Sequence, residues 1–558
     1  MSYRQETIAH FQQKPDVSVL ILGGGVNGIG LYRELALQGI DCLLVDKADF
    51  VAGASSKSSR MIHGGLRYLE NREFELVSES LIERNRLLEN APHYVSPLKT
   101  TIPLLSWFGG LFRSIQIFLG FRARPGLRGI VPIKFGLMFY DWITRKQRLM
   151  PRHHFTSRKN SIEQMPEINE KIVATATYWD AWITQAERLC IEMIRDAREA
   201  NAECHALNYA ASFGVEDGAV VLKDEVAGDT FTVRPKIVIN AAGSWVDKVN
   251  ASLGLDTHYM SGTKGSHLVV ESPALHRALA GQMAYYQHAD GRVCIMFPFL
   301  GRVIMGTTDI AVEDPDMARC EEAEVDYILT TFKDAFPKIT VTRDDVVFVY
   351  CGVRPLPASD RAFTANISRG HSFREIEPTA ERPFPIHCII GGKWTTFRAL
   401  AEQAADQTLA YLERERICST ENLPIGGGKD CPRGDDERTA WVTRVARSSR
   451  LAEERVRDLL DRYGSVAEAM ANAAGEQEPL KTLPSYGVGE IRRIAREEQV
   501  EHLTDLVCRR STIAIIGLAS DAVLRELAGI VGAELGWDEA RQAAEVEQAF
   551  AEVRVPVH

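Results

Sequence analysis

Apolar and polar positions in the first fifty residues fall into a short ordered series. Val17 to Leu22 is an unbroken apolar run rich in β-branched residues, the length of a buried parallel strand. Ile29, Leu31, Leu35 and Leu37 then recur at roughly helical spacing, and Gly39 stands where a C-cap belongs. A second apolar run, Cys42 to Val45, ends in Asp46. Between the first run and the helix lie Gly23, Gly25 and Gly28 in the spacing G-x-G-x-x-G. A bare glycine pattern is weak, because glycine turns recur by chance. Here the strand, turn, helix, second strand and terminal acid are all in order, which predicts a dinucleotide site. The first glycine permits the sharp turn, the second leaves room for a pyrophosphate and the third lets helix and strand pack closely. Phosphate charge then meets the unpaired N–H groups of the helix start, and Asp46 accepts from ribose hydroxyls.

Residues 49 to 70 depart from both periods. Gly53, Ala54, Ser55, Ser56, Ser58 and Ser59 carry little side chain but many donors, suited to a pyrophosphate or a flat ring system. The bland alternative is a flexible linker, yet the stretch continues into His63, Gly64, Gly65, Leu66, Arg67 and Tyr68, a cation and a phenol beside a glycine pair. Helical spacing returns over 72 to 90 and from Ile183 to Ala200. Asp217-Gly218 marks a hairpin between Ala211–Val215 and Ala219–Leu222. A buried strand, Lys236 to Asn240, leads into Ala241, Ala242, Gly243 and Ser244, small enough for a cofactor to approach the backbone.

Polar residues then collect at strand ends. Lys264, Ser266 and His267 precede an apolar strand; a lone histidine is usually structural, and this one is weighed evenly. IMGTTD (304 to 309) ends in Thr308 and Asp309, and VYCGVRPLPASD (349 to 360) sets Arg354 after Gly352 and before a rigid proline. Arg369 follows. Ile389 and Ile390 finish a strand, Gly391 and Gly392 turn, and Lys393 to Thr396, with Thr395 between, open a long helix. Leu423 to Asp436, with four glycines and two prolines, reads as a linker. Beyond it the chain is helical to about 550, so residues 1–430 and 431–558 are expected as two domains. Arg509 and Arg510 suit interdomain ion pairs better than catalysis.

A length of 558 residues permits several domains and a large core. The net charge of −10 argues against wholesale nucleic-acid binding. Ten scattered cysteines without a C-x-x-C pair disfavour disulfides, zinc or iron–sulfur centres and suit a reducing cytosol. The polar N-terminus lacks a signal-peptide core, and no apolar run reaches the ~18 residues of a membrane span. Charge changes the picture in one place. From Trp107 to Arg152, nine cations face the single acid Asp141 and interleave with tryptophans and phenylalanines. That composition suits a surface lying among lipid headgroups; the alternative is a buried helical pair whose arginines snorkel to water.

Taken together, GGGVNGIG, SSRMIHGGLRYLE, KGSHLVV, MGTTD, GVRPL and GGKWTTFR, followed by YGVGEIRR and LTDLVCRR, make the chain resemble the FAD-dependent, quinone-linked glycerol-3-phosphate dehydrogenases. The resemblance implies an α/β fold: a Rossmann-like FAD-binding domain interleaved with an antiparallel-sheet substrate domain, then a C-terminal α-helical domain. It implies oxidation of sn-glycerol 3-phosphate to dihydroxyacetone phosphate. His267 would be the base and Arg354 would orient the C2 oxygen. Arg67, Tyr68, Arg369 and Lys393 would take the phosphate, with Thr308 and Asp309 beside the hydroxyls or the flavin. FAD would lie along Gly23, Gly25, Gly28, Asp46, Ser55, Ser56, Ser59, His63, Gly64, Gly65, Leu66, Ala242, Gly243, Gly352, Gly392, Thr395 and Thr396. A membrane quinone would take the electrons from a homodimer seated through Trp107–Arg152 on the cytoplasmic face of the inner membrane. An oxygen-using oxidase of the same substrate, an amine or amino-acid oxidase on the same fold, and a flavin-bearing membrane protein without turnover are the rival readings.

Overall fold

The computed structural model describes residues 2–65, 73–109, 129–146, 149–358, 370–473 and 478–555. Its apolar runs form two sheets. The first is built on parallel strands in the order 386–391, 230–240, 16–22, 42–45 and 205–207, flanked by the antiparallel strand 371–376 and by a hairpin of 210–216 and 219–224. Strand 42–45 is buried along its whole length, as a strand covered on both faces must be. Helices Val26–Leu37, Ala186–Ala200 and Phe397–Tyr411 cover one face and bury Ile29, Leu35, Met193 and Leu400 against Val19, Ile21 and Leu44. Leu22 pairs with both Val45 and Asn240. The strand ends therefore finish on one edge, and the chain reverses its direction of winding between strands 16–22 and 230–240, where such sheets bind ligands.

The second sheet is mostly antiparallel, in the order 310–312, 260–270, 302–306, 293–299, 283–287, 95–104, 174–183 and 61–62, with 346–357 also on 260–270. Side chains alternate along strand 260–270. Leu268 and Val270 pack with Ile328 and Phe332 under helix Glu322–Thr331. Val269 packs instead with Phe348, Leu506, Val507 and Leu524, so the C-terminal helices lie on the other face. Lys264 and Ser266 thus point toward Glu324, while Gly265 and His267 are directed to the opposite side.

The expected hairpin forms: Asp217 and Gly218 have φ of 49° and 72° between strands Ala210–Glu216 and Ala219–Asp224. Two expectations need correction. The stretch 423–436 is no loose linker, for Gly427 and Gly428 are buried and Gly427 N–H donates to Glu192 at 3.2 Å. Lys393 to Thr396 also stay outside the regular helix, which begins at Phe397, because the two preceding glycines leave the chain still turning. The tail itself has two parts. Helices 434–449, 453–463 and 467–472 share their own small core, and 488–497, 521–535 and 539–553 pack on the second sheet.

Candidate functional site

The glycine turn meets its sheet at close quarters. Gly23 has φ +117°, and a Cβ there would lie 2.7 Å from the Ala241 carbonyl; at Gly28 it would lie 1.9 Å from the Gly23 oxygen. Only glycines allow this approach of strand, turn and helix. At the next strand end, Asp46 accepts from Gly24 N–H at 2.7 Å and Ala48 N–H at 2.9 Å. Burial pushes its carboxyl up to about 6 against those two hydrogen bonds.

A cavity opens here, lined by Gly23, Gly25, Asp46, Ala242, Gly243 and Trp245 among others. It adjoins a second, and the two share Asn27, Ser55, Lys57, Gly352 and Val353. Ser59, His63, His267, Arg354, Gly392, Lys393 and Thr395 line the second. A third continues from Ser59, Met61, His63 and Arg354 past Gly65, Thr308 and Asp309 to Tyr178, Tyr285 and Arg292. An elongated path thus leads from the glycine turn to a polar chamber. A glycine turn without Cβ atoms at Gly23 and Gly25, a carboxylate at the second strand end and a helix start beside them fit a dinucleotide.

His267 is buried, and neither ring nitrogen has a hydrogen-bond partner. Burial first, then Arg354 and Arg60, lower it to about 3, so the imidazole is neutral near pH 7. Arg354 is held in place: it donates to Asp309 at 3.0 Å, to the Thr307 hydroxyl at 3.0 Å and to the Thr308 carbonyl at 3.0 Å. Thr308 itself turns its hydroxyl to Glu324 at 2.6 Å and accepts from Ser266 N–H at 2.9 Å. Ser266 and Lys264 reach the same carboxylate at 2.8 and 2.9 Å. Burial would raise Glu324, but Lys264 and the hydroxyl of Thr308 hold it below the usual range. A closed polar cluster therefore backs the strand ends that carry His267 and Arg354.

Three residues named from the sequence, Ser56, Gly64 and Thr396, line none of these cavities. Ser56 donates to the Gly53 carbonyl at 3.2 Å, and Gly64 N–H donates to Tyr140 at 3.0 Å and Asp180 at 3.2 Å. Thr396 is buried at the start of its helix. Ser55 receives Val26 N–H at 3.0 Å, and Thr395 receives His63 N–H at 3.2 Å. Lys393 donates to Ser80 at 3.2 Å. Leu66, Arg67, Tyr68 and Arg369 lie outside the described residues. Sequence reasoning passed over Arg292, Tyr178 and Tyr285. The first had a signal: Asp290-Gly291 is a hairpin pair, and Arg292 follows it into strand Val293–Phe299.

Of Trp107–Arg152, residues 110–128, 147 and 148 lie outside the described part. The rest forms helix Ile130–Ile143, which buries Ile133, Leu137 and Tyr140. Its other face exposes Phe135 (69%), Met138 (51%) and Trp142 (54%), and the segment 105–109, hydrogen-bonded to the helix start, exposes Trp107 (58%) and Phe108 (68%). Arg145 lies 5.0 Å from the Trp142 ring. Among the described residues no helix is long and apolar enough to cross a membrane.

The family model described as FAD dependent oxidoreductase matches residues 18–380, and the C-terminal domain of alpha-glycerophosphate oxidase matches 418–542. A glycerol-3-phosphate dehydrogenase from Synechocystis is 33% identical over 93% of this chain and 92% of its own length. The aerobic glycerol-3-phosphate dehydrogenase of Escherichia coli is 30% identical over 88% of this chain and 93% of its own. Among solved structures, a glycerol-3-phosphate dehydrogenase from Bacillus halodurans complexed with FAD superposes with a TM-score of 0.75 at 24% identity, covering 100% of this chain and 98% of that one.

Proposed function

Because the chain belongs to the family of FAD-dependent glycerol-3-phosphate dehydrogenases, we propose that it oxidises sn-glycerol 3-phosphate to dihydroxyacetone phosphate and passes the electrons to a membrane quinone. The observation that carries this reading is the chamber beyond the dinucleotide cradle, where the neutral His267 and the fixed guanidinium of Arg354 border one continuous space.

Gly23, Gly25, Asp46, Ala242 and Gly243 would hold FAD, which when bound would supply the hydride acceptor for carbon 2. His267 takes the proton of the C2 hydroxyl on the unprotonated nitrogen of its neutral ring, which no protein group occupies. Arg354 orients the C2 oxygen and stabilises the charge that develops on it as the proton leaves. Its fork is fixed in direction by Asp309, Thr307 and the Lys264 and Thr308 carbonyls. Thr308 and Glu324 hold that alignment from behind.

The phosphate requires cations with good geometry, for which arginine's planar fork is suited. Arg67, Arg369 and Lys393, with Tyr68, are assigned to it from the sequence. Arg292 joins them on the strength of its place in the third cavity, where the acid it pairs with, Asp290, stands 4.0 Å away. The exposed face of helix 130–143, with Trp107 and Phe108 beside it and Arg145 against the Trp142 ring, seats the protein on anionic lipid at the cytoplasmic side of the membrane. From there a quinone reaches the flavin, which suits a chain with no C-x-x-C pair to carry electrons internally.

Turnover tests both halves of the reading. Dihydroxyacetone phosphate should form from sn-glycerol 3-phosphate with a quinone analogue in the absence of oxygen, and glycerol should not replace the substrate. One peroxide per turnover in air, with no use of the quinone analogue, would assign the protein as an oxidase instead.

A further inference from the structure

The C-terminal helices contribute no residue to the lining of the three cavities described above. They nevertheless reach the cofactor loop through one buried carboxylate. Asp49 lies three residues beyond Asp46, on the segment that runs from the ribose acid to Ser55. Arg510 grips it with both arms: Nη1 donates to Oδ2 and Nη2 to Oδ1, each at 2.8 Å. Arg509 Nε donates to the same Oδ2, and Asn208 Nδ2 donates to Oδ1 at 2.8 Å. The side chains of Asp49 and Arg510 are both fully buried. Arg509 is held in turn by Asp505 at 2.7 Å. Burial would raise the Asp49 carboxyl, but Arg510 and Arg509 hold it well below the usual range.

Just beyond Asp49, residues 52–55 form part of the wall of the cradle, with Phe50 and Val51 beneath it. Phe50 packs under Gly24, where a Cβ would come within 2.8 Å of its ring. Val51 N–H donates to the Gly24 carbonyl at 2.8 Å, and Gly53, Ala54 and Ser55 then line the first cavity. Gly24 N–H is in turn a donor to Asp46. Phe50 and Val51 are buried in the core, but Ala52, Gly53, Ala54 and Ser55 beyond them have little side chain to pack, so a charge anchored just before this run helps to fix its path.

We infer that Arg510, with Arg509, is a positioning residue for the cofactor: the helical domain fixes the 46–55 loop through Asp49 and so slows the release of FAD. This assigns the domain a part in holding the flavin, although it lies behind the cradle. A plain ion pair between domains would stabilise the fold without acting on the flavin, and the two roles are separable.

The test compares flavin release from holoprotein on dilution, followed by the rise in flavin fluorescence, with the thermal midpoint of the same samples. Arg510→Lys keeps the charge but loses the two-point grip, and release should be about tenfold faster or more. Val531→Ala, in the buried core of the same domain and away from Asp49, lowers the midpoint and should leave release unchanged. If Arg510→Lys does not fold, Arg509→Lys, at a position with slight exposure, is measured in its place and should also release flavin faster. Release at the wild-type rate in the arginine variant, or equal acceleration in Val531→Ala, would overturn the inference.

Discussion

His267 lies flat against Tyr350, with ring centroids 4.9 Å apart and planes 11° from parallel. The two residues face each other across paired strands, His267 opposite Tyr350 in the register of 260–270 with 346–357. Stacking fixes the imidazole plane without occupying either nitrogen, which leaves a base that is oriented yet free to accept a proton.

Replacing the base should separate chemistry from cofactor binding. His267→Asn is expected to lower kcat by about 10²- to 10⁴-fold while flavin content stays near that of the unaltered protein. Tyr350→Leu, which frees the ring to tilt, should lower kcat to a smaller extent. Steady-state rates normalised to bound flavin check both.

The buried histidine also sets a pH dependence. In the free protein His267 is lowered to about 3, by burial first and then by Arg354 and Arg60. A dianionic substrate adds negative charge that opposes those cations, so the residue should titrate higher in the complex. The acidic limb of kcat should therefore lie at higher pH than that of kcat/KM. Stability follows the same shift. Because the unfolded chain binds the proton more readily, stability is fully present above about 6.5 and is lost as pH falls toward 3. Unfolding of His267→Asn by urea should show a shallower loss over that window than the unaltered protein.

Arg292 tests the assignment of the phosphate. Arg292→Ala should raise KM for sn-glycerol 3-phosphate by about 10- to 100-fold, the worth of a charge-assisted hydrogen bond, with a smaller change in kcat. Arg292→Lys should recover part of the loss. An unchanged KM would remove Arg292 from the pocket and leave the phosphate to the other cations.

The apolar face should govern lipid binding alone. Changing Phe135, Met138 and Trp142 to serine is expected to reduce sedimentation with anionic liposomes while activity with a soluble dye persists. The three side chains are more than half exposed, so little core packing is lost. Loss of dye-linked activity together with lipid binding would contradict a purely surface role.

The nucleotide half was legible because its geometry is local. Gly23, Gly28 and Asp46 fall within one strand–turn–helix–strand unit, and spacing alone places them. The substrate half is assembled from distant segments. Arg354 meets Asp309 across 45 positions, and Glu324, which backs both strand ends, carries no motif of its own. Alternation along strand 260–270 could have divided Lys264 and Ser266 from His267, but only the position of helix Glu322–Thr331 shows what the first pair faces. Glycines misled twice. At 426–428 they permit tight packing rather than freedom, since a Cβ at Gly427 would lie 2.0 Å from the Tyr463 carbonyl, and at 391–392 they delay the helix. Arg509 and Arg510 were readable as ion-pair residues, although nothing in their neighbourhood names Asp49 as the partner.

The most direct measurement is anaerobic mixing of the flavin-loaded protein with sn-glycerol 3-phosphate while the visible absorbance of the oxidised flavin is followed. The account predicts rapid bleaching with sn-glycerol 3-phosphate and none with glycerol, sarcosine or D-amino acids. Bleaching by an amine alone, or by none of these compounds, would contradict it.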